Sequence, residues 1–141
     1  NLAIGERAAE EIKIKIGSAI PVEDEETYEV RGRDFLTGLP RTAELSTNDV
    51  VEAISERLQE MIRTIKLVLQ QTPPELAADV MDHGIIMTGG GSLLHNIDEL
   101  VFRSTGVPAR VAKDAALCVA RGAGEALDHL DVYKRSIVTK R

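Results

Sequence analysis

A short apolar segment that runs into three successive glycines is the feature that most constrains how this chain can fold. Residues 84–88 read Gly-Ile-Ile-Met-Thr, which predicts a strand, and Gly89, Gly90 and Gly91 follow before a predicted helix at Ser92. Residues without a Cβ let backbone amides approach a ligand closely, and the first N–H groups of a helix are unpaired. The pattern therefore fits a ligand cradle, and it fits a merely tight strand-to-helix connection equally well.

The glycines match neither of two common nucleotide-binding motifs. No Gly-Lys-Ser or Gly-Lys-Thr follows them, as a Walker A motif requires, and their spacing is not that of a dinucleotide fingerprint. Glu10 and Lys13, three residues apart in a predicted helix, could bond to the hydroxyls and ring nitrogens of an adenosine. On spacing alone, such a pair is more often a solvated helix face.

Composition narrows the possible partners. The 141 residues are 43% hydrophobic, which is enough for a real core, and 17 basic against 23 acidic side chains give a net charge of -6. An acidic chain is a poor ligand for nucleic acid, since that binding depends on neutralising phosphates. Cys118 is the single cysteine, so we expect no internal disulfide, and a reducing cytosolic setting fits.

No apolar run approaches 18 residues and no signal-peptide pattern is present, so we expect neither a membrane span nor an export address. The sequence does not begin with Met and starts within what looks like a helix. We interpret it as a fragment of a longer protein.

Hydrophobic periodicity predicts an alternation of helices and strands. Helices are predicted at residues 4–16, at residues 46–71 after a capping box of Ser46 and Asp49, and around residues 75–81. Two more are predicted: one that starts at Ser92 and has Ile97, Leu100 and Val101 on one face, and one at residues 115–127 after an Asp114 cap. Strands are predicted at residues 27–33, 41–45, 84–88 and 107–112. The apolar stripe of the long helix could face a partner, although core is the more common role of such a stripe. The basic tail after residue 128 has no firm assignment.

This order predicts an α/β fold in two lobes. Strand, helix, strand and helix in the second half indicate a parallel α/β layer, and the hairpin with its long helix looks inserted into it. We therefore expect residues 1–20 and 72–141 to form one α/β subdomain and residues 21–71 to form an inserted, smaller α+β subdomain.

The residues taken alone do not specify a reaction. His83, His95 and His129 are not spaced as metal ligands with one another or with Cys118, and Cys118 has no evident base partner. No acid–base pair or triad stands out, and Ser92 is better interpreted as a helix N-cap than as a nucleophile.

Four blocks of sequence closely resemble one protein family over nearly the whole chain. They are Gly-Glu-Arg-Ala-Ala-Glu-Glu-Ile-Lys-Ile-Lys-Ile-Gly-Ser-Ala (5–19), Val-Arg-Gly-Arg-Asp-Phe-Leu-Thr-Gly-Leu-Pro-Arg (30–41), Thr-Pro-Pro-Glu-Leu-Ala-Ala-Asp-Val-Met-Asp-His-Gly-Ile (72–85) and Thr-Gly-Gly-Gly-Ser-Leu-Leu (88–94). The chain resembles the C-terminal half of the MreB/Mbl family of bacterial actin-like cell-shape proteins.

The resemblance implies the ribonuclease H-like fold of the actin, Hsp70 and sugar-kinase superfamily, in which two domains enclose ATP. This chain would be most of the second domain, and the first ATPase domain would be absent. Gly89, Gly90 and Gly91 would then lie against the adenosine and ribose, and Glu10 and Lys13 would contact the adenosine. The resemblance assigns no catalytic residue and no metal ligand to the chain, because phosphate and Mg²⁺ are held mainly by the first domain.

For the intact protein, the resemblance implies ATP-dependent filaments beneath the cell membrane that guide cell-wall synthesis through membrane-embedded partners. The chain would be cytoplasmic at the inner face of the membrane, anchored only through the missing domain, and by itself inactive as an ATPase. Two alternatives remain open. One is an Hsp70-like or sugar-kinase-like phosphotransferase of the same superfamily, and the other is a protein-interaction module that does not contact nucleotide.

Overall fold

The computed structural model describes residues 2–133, which form two small sheets with helices packed around them. The antiparallel sheet has the order β1 (Leu2–Ala3), β2 (Thr27–Asp34) and β3 (Pro40–Ser46), and the parallel sheet pairs β4 (Ile85–Met87) with β5 (Ala109–Val111). The helices are α1 (Glu6–Ile16), α2 (Thr47–Gln71), α3 (Pro74–His83), α4 (Ile97–Thr105), α5 (Cys118–Asp128) and α6 (Leu130–Tyr133). The predicted α/β class is confirmed, and the basic residues 134–141 lie outside the described residues.

The antiparallel sheet forms the first core together with α1 and the start of α2. Along β2 the side chains alternate, and Val30 and Asp34 on one face are buried. Val30 packs with Ile12 and Ile16 of α1 and with Val50 of α2. The buried face of α1 therefore rests on the hairpin, which fixes the direction of the opposite, polar face.

Strand β1 was not predicted, and the first helix begins two residues later than predicted. Leu2 and Ala3 pair with Asp34 and Arg33 of β2, and α1 starts only after Gly5. A strand of two residues is too short to show a hydrophobic period, so β1 is recognised only by its pairing with β2. A Cβ on Gly32 would lie 2.3 Å from the Ala3 carbonyl oxygen, so β1 can approach β2 this closely only because residue 32 is glycine.

Helix α2 begins as predicted. The Ser46 hydroxyl accepts a hydrogen bond from the Asp49 N–H at 3.2 Å, and the Asp49 carboxylate accepts one from the Ser46 N–H at 2.8 Å. This reciprocal capping box satisfies two otherwise unpaired donors. The apolar stripe is core only in part: Val50, Val51 and Ile62 are buried, whereas Met61 and Val68 are exposed.

The second core surrounds the parallel sheet. Residues 85–87 pair in register with residues 109–111, and α4 connects the two strands. Val101 on α4 is fully buried, and Ile97 and Val107 are nearly so. The predicted helical turn around residues 75–81 is the ten-residue helix α3, which has no buried residue.

The segment after α1 joins the two cores. The Ala19 N–H donates to the His95 carbonyl oxygen at 2.8 Å, and the Asn96 side-chain amide donates to the Ser18 hydroxyl at 3.0 Å. Ser18 is buried, so this contact lies in the interior. It fixes the end of α1 against the residues that come after the glycines. The boundaries at residues 20 and 72 remain a prediction.

Candidate functional site

The glycine turn leads into a different structure from the predicted helix. Gly90–Leu93 forms a single turn of 3₁₀ helix, and α4 begins only at Ile97. The chain is extended at Leu94 (φ -61°, ψ 132°) and left-handed at Asn96 (φ 58°), so no continuous helix can form across these residues. The prediction that a helix starts at Ser92 is wrong, and the amides of a long helix do not point at the glycines.

All three glycines have open space where a side chain would stand. The turn is held from inside, because the Gly89 N–H donates to the Ala115 carbonyl oxygen at 2.8 Å and the buried Ser92 hydroxyl donates to the Gly89 carbonyl oxygen at 2.7 Å. Ser92 is thus a brace for the turn and not an N-cap. A Cβ added to Gly89, Gly90 or Gly91 would meet no atom within 4 Å, although the positive φ of Gly89 (86°) would itself disfavour a side chain there. The turn therefore has room for a large group beside it.

On one polar side of α1, the side chains contact Tyr28 of the hairpin. Lys15 pairs with Glu11, four residues before it in the helix, at 2.9 Å, and the Tyr28 hydroxyl donates to the same carboxylate at 3.2 Å. The Lys15 ammonium also lies 4.8 Å from the centre of the Tyr28 ring. The hydrogen bond from Lys15, followed by that from Tyr28, lowers the pKa of Glu11, and the bond to Glu11 raises the pKa of Lys15.

Glu10 and Lys13 have no such partners. Both are exposed, and within residues 2–133 neither side chain forms an ion pair or a hydrogen bond. The carboxylate can accept hydrogen bonds and the ammonium can donate them. In this structure the pair is available for binding and is not part of the packing.

Gly17 links these two residues to the glycine turn. A Cβ built on Gly17 would lie 3.2 Å from the Leu94 Cδ1 atom, so the Leu94 side chain covers the end of α1. Glu10, Lys13 and Gly17 are three and four residues apart, which places them along one face of the helix. The face that carries both predicted contacts therefore leads to Leu94, the residue that follows the 3₁₀ turn.

Glu10 and Lys13 also line a groove of about 400 Å³ between α1 and α2. The rest of its wall is mainly apolar and consists of Ile4, Ala9, Ile12, Leu45, Asp49, Val50, Ala53 and Ile54. Gly89, Gly90 and Gly91 are not among the lining residues. The five predicted residues thus form two groups, one at the groove and one at the open turn, connected through Gly17 and Leu94.

The loop between β5 and α5 was not recognised as part of this region. Asp114 is left-handed (φ 53°) and makes no capping hydrogen bond, so the predicted N-cap is wrong. Its carboxylate instead pairs with Arg121 at 2.6 Å. The predicted helix at residues 115–127 is a 3₁₀ turn (Ala115–Leu117) followed by α5. The bond from Gly89 to Ala115 connects this loop to the glycine turn, and the sequence pattern of neither segment indicates that contact.

Residues 2–133 contain no group of three or more His, Cys, Asp or Glu side chains arranged to hold a metal ion. The Cys118 thiol is partly buried and lies 3.7 Å from the carbonyl oxygens of Lys113 and Asp114. Within the same residues, no helix combines the length and the hydropathy needed to cross a membrane.

Solved structures share this fold. The chain superposes on MreB5 of Spiroplasma citri bound to ADP with a TM-score of 0.87 and 34% identity, over 92% of this chain and 40% of that one. For MreB5 bound to AMPPNP the TM-score is 0.88 and the identity 32%, over 96% and 41%. The double helical filament of MamK gives a TM-score of 0.73 at 24% identity, over 90% and 38%, a likeness of fold alone. The chain is an actin-like α/β protein.

Sequence relatives narrow the class to a family. A model of the MreB/Mbl protein family matches residues 1–135. The chain is 45% identical over 130 residues to the cell shape-determining protein MreB of Escherichia coli (strain K12), covering 92% of this chain and 38% of that protein. It is equally similar, at 45% over 130 residues, to the cell shape-determining protein Mbl of Bacillus subtilis (strain 168), over 92% and 39%. The chain belongs to the MreB/Mbl family, and it spans about two fifths of the length of these relatives.

Proposed function

We propose that this chain forms the adenosine side of an ATP site in a longer actin-like protein. Glu10 would accept hydrogen bonds from the nucleoside, Lys13 would donate them, and Gly89, Gly90 and Gly91 would lie against the adenosine and ribose. One observation carries the proposal: Glu10 and Lys13 have no partner in residues 2–133, and their helix face leads through Gly17 to Leu94, which directly follows the glycine turn. Binding of ADP and AMPPNP by the similar Spiroplasma citri protein supports it.

The proposal assigns only half of the ligand to this chain. The groups described here suit a nucleoside, whereas phosphoryl transfer requires charge stabilisation around the phosphates from both sides. The phosphates and Mg²⁺ would be held mainly by residues of another domain. We therefore expect the isolated chain to bind ATP weakly and not to hydrolyse it, and we expect weak ATPase activity only in the full-length protein as it polymerises.

At the level of the cell, we propose that the full-length protein assembles with copies of itself into filaments at the inner face of the cell membrane. The filaments would direct cell shape and cell-wall synthesis through membrane proteins of the elongation machinery. Membership of a family whose relatives are named cell shape-determining proteins supports this role. Contact with the membrane would occur through parts of the protein outside this chain.

An ATP titration of the full-length protein tests the nucleotide site. The Cβ that Gly90→Val adds meets no protein atom within 4 Å, so we expect a loss of affinity from a clash with the ligand and not from a clash within the protein. Lys13→Ala removes the proposed donor. Matched controls are Gly5→Val, which also adds atoms to open space, and Lys66→Ala, which removes an exposed ammonium from α2. Unchanged affinity in both site variants would remove the assignment.

Light scattering after addition of ATP tests the filament role. A signal that depends on ATP and sediments on centrifugation is the expected result. ATP turnover by a protein that stays soluble would contradict the filament role and favour the phosphotransferase alternative.

A further inference from the structure

The loop between β5 and α5 holds the glycine turn from behind. The Ala112 N–H donates to the Met87 carbonyl oxygen at 2.9 Å, which extends the pairing of the parallel sheet to the end of the strand before the glycines. Three residues later, the Ala115 carbonyl oxygen accepts the Gly89 N–H at 2.8 Å, and Ala115 is only 2% exposed. The position of Gly89 therefore depends on the conformation of residues 112–117.

An ion pair closes this loop. The Asp114 carboxylate contacts the Arg121 guanidinium of α5 at 2.6 Å, and the Leu117 N–H donates to the Asp114 carbonyl oxygen at 2.7 Å. Asp114 adopts a left-handed conformation, which non-glycine residues seldom adopt without support. Arg121 is thus connected to the ligand side of the turn through Asp114, Ala115 and Gly89.

The pair of Asp114 and Arg121 differs in location from an equally exposed ion pair on α4. The side chains of Arg121 and Asp114 are 63% and 41% exposed, and those of Arg103 and Glu99, which pair at 2.7 Å along α4, are 62% and 44% exposed. Exposed pairs of this kind contribute little to global stability. The pair on α4 joins two residues of the same helix, whereas the pair at Asp114 fixes a loop that bonds to Gly89.

We propose that Asp114 and Arg121 are positioning residues for the nucleotide-binding turn. They do not touch the ligand. By holding Ala115 in place, they keep Gly89 and the open backbone of Gly90 and Gly91 in the conformation that receives the adenosine. The inference rests on the proposed nucleotide site, and it extends that site to a loop and a helix that lie more than 20 residues further along the chain.

The experiment compares variants of the full-length protein. Arg121→Gln removes the guanidinium, and Asp114→Asn removes the charge while keeping a residue that tolerates the left-handed conformation. We expect the dissociation constant for ATP to rise about two- to fivefold in each, because exposed ion pairs couple no more strongly than that. Because both remove one interaction, the double variant should be no weaker than either single one. Arg121→Lys should restore part of the affinity, and Arg103→Gln is the matched control.

A second measurement reports how firmly the glycine turn is held. Hydrogen exchange at the Gly89 amide, without nucleotide, should be faster in Arg121→Gln and Asp114→Asn and unchanged in Arg103→Gln. The inference is overturned if Arg121→Gln and Asp114→Asn bind ATP and exchange the Gly89 amide as the wild type does. It is also overturned if Arg103→Gln changes both measurements as much as they do, because the pair of Asp114 and Arg121 would then act only on general stability. If the wild-type protein does not bind ATP, the proposed function fails, and the exchange at Gly89 still decides whether the pair holds the turn.

Discussion

Replacing Gly17 with alanine should damage both the packing and the candidate site. The Cβ atom added at this position would lie 2.3 Å from the Lys13 carbonyl oxygen, which is about 1 Å closer than ordinary contact, and 3.2 Å from the Leu94 Cδ1 atom. The close atom belongs to the backbone of α1, so it cannot move aside as a flexible side chain would. Either the last turn of the helix opens or Leu94 and the segment behind the glycines shift.

Three effects determine how much the Gly17→Ala substitution changes the free energy of unfolding. Overpacking of this kind costs about 1–3 kcal/mol. Opening the turn also breaks the 3.0 Å bond from the Gly17 N–H to the Lys13 carbonyl oxygen, which costs about 1 kcal/mol. Alanine also lowers the conformational entropy of the unfolded chain relative to glycine, which stabilises the folded state by about 0.4–1 kcal/mol. We expect a net loss of about 1–4 kcal/mol in the free energy of unfolding.

Urea unfolding, followed by helical circular dichroism, measures this loss. Gly122→Ala is the control, because residue 122 lies within α5 and an added Cβ meets nothing within 4 Å there. That variant should gain about 0.4–1 kcal/mol. The reasoning is refuted if Gly17→Ala is as stable as the wild type. An ATP titration of the full-length Gly17→Ala protein should also show weaker binding, since Lys13 and Leu94 both border the altered residue.

Two further predictions concern the cores. Asp34→Asn should destabilise the hairpin at neutral pH: hydrogen bonds from the Thr37 N–H, from Arg41 and from the Thr37 hydroxyl lower the pKa of Asp34 to about 2 from its ordinary value of 3.8. This stabilisation is present above pH 3.8 and is lost as the pH falls towards 2. The difference in urea midpoint between wild type and variant should therefore shrink over that range. A constant difference would contradict the role assigned to Asp34. Val101→Ala should cost about 2 kcal/mol, because the side chain is fully buried. Val119→Ala, which truncates a side chain that is 76% exposed on α5, should change the urea midpoint far less, and equal losses would be inconsistent with the described core.

The elements that the sequence predicted correctly are those encoded by neighbouring residues. The capping box of Ser46 and Asp49, the stripe that makes α2 a helix, and the alternation along β2 all depend on residues a few positions apart. The ion pair of Glu11 and Lys15 also depends only on residues four positions apart. Local spacing was sufficient because local geometry alone brings these groups together.

The errors occurred where a distant contact overrode the local pattern. Residues 92–96 have the composition of a helix start, yet the chain leaves the helix there because His95 and Asn96 bond to Ser18 and Ala19. Asp114 resembles an N-cap, yet its carboxylate bonds to Arg121. A hydrogen bond between residues that are 78 positions apart leaves no periodic signal in either segment.

The sequence by itself determined the family, the α/β class and five candidate contacts: Glu10, Lys13, Gly89, Gly90 and Gly91. Glycines beside a strand and charges on a helix can be read without any knowledge of packing. Only the tertiary structure decided how those contacts relate to one another. The close approach of Leu94 to Gly17, and the support that Ala115 gives to Gly89, depend on which surfaces meet when the two cores form. Such packing is a property of the whole chain, because each contact joins segments that local propensity does not connect.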